Sequence, residues 1–260
     1  MNIFLATEDT EKIIKMKSNK NIINGNCWVA YFDILGFTGK VKELRNHPDT
    51  LARIYYQRIL EKIKRSGVYL ERVNTHWFSD SFIFYTNDDS PASFTNICPL
   101  AEGFITNAIW QRKPLRGALS FGRFCADKAK NIFIGIALID AHDYAEKQDW
   151  IGCVMTPNAL KKINSFKLPN ITGDVPTVEY YVPVKNKDKE QDGVVLQYSF
   201  EKLRAFRLDA SLVRERVNEM YNAARGNGKS DYILRKYINT LNFLSNNTIT
   251  SVNSVSSVAK

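Results

Sequence analysis

The chain has little of what marks a secreted, membrane-spanning or metal-stapled protein. Its 260 residues include 4 cysteines (Cys27, Cys98, Cys125 and Cys153), widely spaced and without a C-x-x-C pair. That argues against a disulfide framework or a cysteine zinc site and for reduced thiols in apolar surroundings. No apolar run approaches the roughly 18 residues that a spanning helix needs. The N-terminal stretch TEDTEKIIKMKSNK is polar and charged, so a cytoplasmic protein without a membrane partner is expected. No internal repeat and no separate sensor domain is readable.

What is present suits a globular fold. Hydrophobic residues make up 44% of the chain, enough for a substantial core. Lys and Arg number 36 against 27 Asp and Glu, a net charge of +9, which favours anionic partners such as nucleotides, nucleic acid or a membrane surface without choosing among them.

Hydrophobic periodicity gives an alternating order. Cys27–Ile34 reads as a buried strand, and Lys40–Arg65 carries apolar residues at helical spacing with an interruption expected at Pro48. Val68–Phe78 and Phe82–Tyr85 read as two strands joined by the Ser79-Asp80-Ser81 turn. Pro91–Arg112 reads as a helix, Leu115–Phe121 as a strand, Ala126–Lys130 as a polar loop and Ile132–Ile134 as a short strand. Ala137–Lys147 and Ile151–Met155 follow as helix and strand. This order predicts an α+β fold of the ferredoxin-like βαββαβ type with additions. Beyond it, Lys185–Asp192 reads as a charged loop, Gly193–Ser199 as an edge strand, Glu201–Arg225 and Ser230–Leu244 as amphipathic helices, and Ser245–Lys260 as a frayed tail. The expected division is a polar segment over 1–24, a catalytic domain over 25–165, a strand and helix extension packed on it over 166–245, and a flexible tail over 246–260.

In VAYFDILGFTG, the apolar strand ends on Asp33 and a glycine turn follows. Asp80 sits on the hairpin turn, and βαββ order brings both carboxylates to one end of one sheet. Two hard oxygen donors there suit Mg²⁺ or Mn²⁺ carrying phosphates, and the N–H groups of Leu35 to Thr38, opening a helix, suit a triphosphate. Taken singly, Asp33 as a helix cap and Asp80 as a turn residue are the commoner readings; jointly they favour a metal.

Phe32-Asp33-Ile34-Leu35-Gly36-Phe37-Thr38 resembles the first metal motif of class III nucleotidyl cyclases. Phe78-Ser79-Asp80 resembles the second, where most members have Gly-Asp. Arg116-Gly117-Ala118-Leu119-Ser120-Phe121-Gly122 is similar to a later strand of that family, and Gly135 onward to the glycine and helix that follow it. The resemblance spans about Cys27 to Met155. It implies a homodimer with active sites at the interface and two Mn²⁺ or Mg²⁺ ions held by Asp33, Ile34 and Asp80. It also implies substrate contacts at Gly36, Phe37 and Thr38, and conversion of a nucleoside triphosphate to a 3′,5′-cyclic monophosphate and pyrophosphate. A nucleic-acid partner is not expected.

The departures are specific. The family's purine-reading Lys or Glu is His76 here, and its Asp or Cys partner is Ile132. FDILGF, the Ser-Asp-Ser turn and the Arg-Gly-Ala-Leu-Ser strand are most similar to the Pycsar pyrimidine cyclases of bacterial anti-phage defence, which implies cyclic UMP, or second to it cyclic CMP, as product. The positions of the family's transition-state Asn and Arg fall at Ile139 and Asp143, or with a one-residue shift at Asp140 and Tyr144. Arg116, Arg123, Lys128 and Lys130 are candidates to replace the missing cation, Arg116 first, with a structural ion pair as its ordinary alternative. A purine cyclase and a catalytically silent nucleotide-binding homologue are the alternatives.

Overall fold

A computed structural model describes residues 22–61, 63, 73–166, 177–185, 191–196 and 210–253. Strand β1 (Ile22–Ile34) leads through α1 (Phe37–Glu43) to α2 (Pro48–Ala52), which runs on as a π-helix over Arg53–Leu60. The hairpin β2 (Val73–Phe78) and β3 (Ser81–Thr86) follows, then α3 (Pro91–Trp110), β4 (Leu115–Asp127), β5 (Ile132–Ile134), α4 (Ile136–Lys147) and β6 (Gly152–Met155). The chain continues with α5 (Pro157–Ser165), β7 (Thr177–Val182), β8 (Gln191–Leu196), α6 (Ala210–Gly226) and α7 (Asp231–Asn253).

The sheet order is β2-β3-β1-β4-β6-β8-β7, with β5 paired to β4. Its first four strands are antiparallel neighbours in the ferredoxin-like order, and β6 joins β4 in parallel. The α+β expectation therefore holds.

Strand β1 is apolar on both faces because both are covered. Trp28, Ala30 and Phe32 join the main core with Phe94, Ile97, Ala101 and Phe104 of α3. Cys27 and Val29 face a smaller cluster with Tyr85, Phe124 and Ala137. Each fully buried ring adds about 2–3 kcal/mol. Gly117 allows the close approach of β4 to β1: a Cβ there would lie 2.3 Å from a Phe32 ring carbon and 2.6 Å from the Tyr31 carbonyl oxygen. Helix α3 tolerates Pro99 in its interior. Burial on nearly all sides, rather than propensity, holds that helix.

Several boundaries differ from the expected ones. Strand β1 begins at Ile22, not Cys27, and β4 runs to Asp127, not Phe121, because the two pair from Ile22↔Asp127 to Ile34↔Leu115. Main-chain bonds hold Asn24 and Asn26 in the ladder with exposed side chains, and an apolar pattern does not register such residues. The expected loop at Ala126–Lys130 shrinks to a turn over 128–131. The break at Pro48 is present, but α1 starts earlier, at Phe37. Strand β8 is internal, between β6 and β7, and β7 is the edge. Neither β7 nor α5 was anticipated, although Thr156-Pro157 is a helix-start signal: the Thr156 hydroxyl accepts from the Ala159 N–H at 3.4 Å. Helix α7 continues past Leu244 to Asn253. The expected elements over 64–72, 186–190, 197–209 and 254–260 lie outside the described residues.

Candidate active site

Asp33 and Arg116 are Cα partners across β1 and β4. The Arg116 Nε donates to Asp33 Oδ2 at 2.8 Å, and Nη2 lies 2.8 Å from the same oxygen in an ion pair. The same guanidinium donates from Nη1 to the Glu146 main-chain carbonyl at 3.2 Å and from Nη2 to Glu146 Oε1. Glu146, in the last turn of α4, also accepts from Lys185 Nζ at 3.3 Å. Burial pushes the Asp33 carboxyl above its ordinary pKa, Arg116 offsets this in part, and Glu146 and Asp80 push it further up. Burial acts on Glu146 in the same sense, but Arg116 and Lys185 outweigh it and hold that carboxyl below its ordinary value.

The turn between β2 and β3 places Asp80 beside this group. The Ile34 N–H donates to the Asp80 main-chain carbonyl at 2.9 Å, which ties the turn to the end of β1. Ser79 holds φ 55°, the left-handed region that a non-glycine residue rarely adopts, at the position where the resembled motif has glycine. After Ile34 the chain reverses at Gly36, φ 72°, the residue preceding α1. Helix α1 is only two turns long and has no fully buried residue, so the expected cradle is a glycine turn rather than the mouth of a long helix.

These residues line one wall of a cleft of about 980 Å³. The opposite wall comes from the end of α6, the following turn and the start of α7, through Met220, Lys229, Tyr232, Ile233, Lys236 and Tyr237. Helix α7 is fixed by a buried charge. Asp149, 1% exposed, accepts from Arg235 Nε and from Lys236 Nζ, the latter at 2.5 Å, and its main-chain carbonyl accepts from Asn239 at 2.7 Å. The Thr240 hydroxyl accepts from the Ile151 N–H at 2.8 Å.

The fold has solved counterparts. It is similar to the dimeric guanylyl cyclase domain of the RhoGC fusion protein from the aquatic fungus Blastocladiella emersonii, at 19% identity and a TM-score of 0.47, covering 68% of this chain and 97% of that one. It is similar to the adenylyl cyclase CyaB from P. aeruginosa, at 13% identity and a TM-score of 0.44, covering 68% and 96%. It is also similar to an adenylate cyclase from Trypanosoma brucei, at 13% identity and a TM-score of 0.43, covering 66% and 88%. No family model and no curated protein matches the chain. What the cleft can do is therefore decided by its own side chains.

Asp33, Ile34, Gly36, Phe37, Thr38, Asp80 and Arg116 all line the cleft. His76 and Ile132 are not among its lining residues. They lie near each other elsewhere: the His76 ring packs on Phe133, the neighbour of Ile132, with centroids 4.2 Å apart, and burial lowers the His76 pKa. Arg116 is not a free cation, because Asp33 and Glu146 occupy its guanidinium. The other expected substitutes are engaged away from the cleft, Arg123 with Asn24, Lys128 with Asn74 and Lys130 with Asp127. Ile139 is exposed, and Asp143 accompanies His142 at 3.2 Å. Sequence reasoning missed Glu146, Lys185, Lys40 and the α6–α7 wall, which no local pattern ties to Asp33.

The donor chemistry fits a hard divalent cation. Oδ2 of Asp33 is held by Arg116, which leaves Oδ1, and Asp80 Oδ1 has a long 3.5 Å contact from the Ser81 hydroxyl. Asp33 and Glu146 share the one buried guanidinium, Glu146 also takes Lys185, and the nearby Asp80 adds negative charge that a cation would relieve. Among the described residues no group of three or more His, Cys, Asp or Glu is assembled for metal binding, so main-chain carbonyl, water and phosphate oxygens would complete such a shell.

Proposed function

We propose that the protein is a nucleotidyl cyclase that converts a nucleoside triphosphate to its 3′,5′-cyclic monophosphate and pyrophosphate. The observation that carries this reading is the convergence of Asp33 and Asp80, distant in sequence, at one end of the sheet beside the Gly36 turn in a cleft of nucleotide size. Asp33, Asp80 and the Ile34 carbonyl would hold Mn²⁺ or Mg²⁺. The bound ion would supply a lowered pKa for the ribose 3′-hydroxyl and charge neutralisation on the phosphates. Arg116 holds Asp33 in one orientation, and Glu146 holds Arg116. The Gly36–Thr38 turn leaves room for phosphate close to the main chain, because glycine presents no side chain.

The preferred substrate is UTP, then CTP, in the role of a second-messenger enzyme of bacterial anti-phage defence. Support comes from the sequence resemblance and from the pairing of one polar reader, His76, with an apolar wall at Ile132, which suits a small base held by a single edge contact. A homodimer is supported by the exposed apolar face of Ile132, Ile134, Ile136 and Ile139, 45–62% exposed, next to His76. In such a dimer the base-reading residues of one chain would face the carboxylates of the other.

A catalytically silent nucleotide-binding homologue is the second reading, favoured by Ile139 and Asp143 and by the engagement of Arg116. Incubating the pure protein with Mn²⁺ and each of ATP, GTP, CTP and UTP, with products identified by mass spectrometry, decides among these. Cyclic UMP in excess is the expected product. Nucleotide binding without any cyclic product would establish the silent form, and equal turnover of ATP and UTP would end the pyrimidine assignment.

A further inference from the structure

Among the described residues five basic side chains line the cleft: Lys40, Arg112, Arg116, Lys229 and Lys236. Three of them have acidic partners. Arg112 pairs with Glu219 at 2.6 Å, Arg116 with Asp33, and Lys236 with Asp149, its Nζ also 3.9 Å from the Tyr232 ring centroid. Among the described residues Lys40 and Lys229 have none. Lys229 is exposed, in the turn between α6 and α7, and a solvated lysine needs no partner. Lys40 is different: its Nζ is shielded from solvent and accepted by no hydrogen-bond partner among the described residues. Burial lowers its pKa to about 8, Lys113 pushes in the same direction, and Glu43 opposes both only in part. Lys113 is itself lowered by burial, with Glu43 opposing and Arg58 adding to the effect.

An ammonium shielded from water, without an acceptor and next to a like charge, destabilises the free protein. Such a group persists where a ligand supplies the missing counter-charge. Lys40 follows the Gly36–Thr38 turn that leaves Asp33, so an anion reaching from the carboxylates along that turn meets it.

We propose that Lys40 receives the outer phosphates of the nucleoside triphosphate, with Lys229 approaching them from the opposite wall, so that the α6–α7 turn is part of the substrate site. This rests on the reading of the cleft as a nucleotide site. A triphosphate carries more negative charge than a cation held by two carboxylates neutralises, and the remainder falls at the end away from the base. A flexible lysine stem reaches such a group as a point charge.

The sign of the stability effect separates this role from a structural one. A lysine whose folded pKa lies below its unfolded value destabilises the fold at pH values below about 8, and the penalty fades as pH rises from there towards the ordinary lysine value. Lys40→Met is therefore expected to raise the melting temperature at neutral pH, whereas removal of a structural lysine lowers it.

The test is calorimetric titration of the full chain, in Mn²⁺, with inorganic tripolyphosphate, UTP and UMP. Lys40→Met is expected to weaken tripolyphosphate and UTP by roughly tenfold or more and UMP by less than about twofold, the scale of one lost charge-assisted hydrogen bond. Lys40→Arg is expected to keep binding and to lose the decline in affinity that the wild type shows as pH rises past about 8. Lys229→Met is expected to cost roughly threefold on tripolyphosphate, as for a solvated charge pair. Unchanged tripolyphosphate affinity in Lys40→Met, or a lowered melting temperature, overturns the assignment. Unchanged affinity in Lys229→Met removes the α6–α7 turn from it. A wild type that binds tripolyphosphate through Lys40 but forms no cyclic nucleotide from any of the four triphosphates leaves Lys40 in place and ends the cyclase reading. Cyclic product with binding indifferent to Lys40 does the reverse.

Discussion

At the scale of single residues, Asp33 and Asp80 are the pair on which the proposed chemistry depends. If they hold the same cations, either one removed disables the site as fully as both. Asp33→Ala and Asp80→Ala should each lower turnover to below about 1% of wild type, the double variant should fall no further, and circular dichroism should confirm a folded chain. Cyclic product at a tenth of the wild-type rate or more in either single variant would refute the shared role. Ser79 offers a separate test of the turn that places Asp80. A left-handed backbone costs a non-glycine residue about 1–2 kcal/mol, while glycine loses about 0.5–1 kcal/mol more entropy on folding. Ser79→Gly should therefore stabilise by up to about 1 kcal/mol, read as a rise of a few degrees in melting temperature. A fall would show that the Ser79 side chain contributes more than its φ costs. The two carboxylates were legible in the sequence because each sits on a local signal, a strand end and a hairpin turn. Arg116 was legible as a residue but not as the partner of Asp33, since the antiparallel register that pairs them appears only when β1 and β4 are aligned.

At the scale of elements, the order of strands and helices was readable because periodicity and turn residues are local, and the long ladder ends were not, because main-chain pairing leaves no apolar pattern. The two C-terminal helices were visible as amphipathic segments. The place of α7 beside the cleft was not, since it is held by Asp149, a lone acidic residue that looks like a surface position. In the fold, Asp149 is buried under Arg235 and Lys236, and Lys236 is itself only 7% exposed. Removing one member of a buried pair leaves the other charge uncompensated, at a cost of about 3–5 kcal/mol. Asp149→Ala should lose about that much stability in urea unfolding, and Asp149→Asn less, because the amide oxygen still accepts one bond. If α7 were only loosely laid on the core, both variants would melt like the wild type. The cleft wall carrying Lys229 depends on this anchor, so nucleotide affinity should fall with Asp149→Ala even where the core stays folded.

At the scale of the whole molecule, the question is which groups meet across two chains. Asp33 and Arg116 are 2.8 Å apart within one chain, so an Asp33→Ala subunit and an Arg116→Ala subunit lack the same site and cannot complement each other. His76 and Ile132 lie on the apolar face around β5, apart from the residues that line the carboxylate cleft. If that face meets the cleft of a second copy, each complete site takes its carboxylates from one chain and its base reader from the other. A mixture of Asp80→Ala and His76→Ala subunits would then contain dimers in which one site has lost both functions and the other has kept both. Random pairing puts about half of the dimers in this mixed form. The intact sites of the mixed dimers should supply about a quarter of the wild-type activity with wild-type base preference, beside the unselective turnover of the His76→Ala homodimers. The base preference of the mixture should therefore lie between those of wild type and His76→Ala. Asp80→Ala alone stays silent, and His76→Ala alone loses discrimination by roughly tenfold, the scale of one edge contact. An Ile134→Asp change on the apolar face should abolish the recovery and shift the protein to monomer in sedimentation. Full specific activity in a monomer at all dilutions, or a mixture whose base preference is that of His76→Ala alone, would place the base reader and the carboxylates in separate roles within one chain.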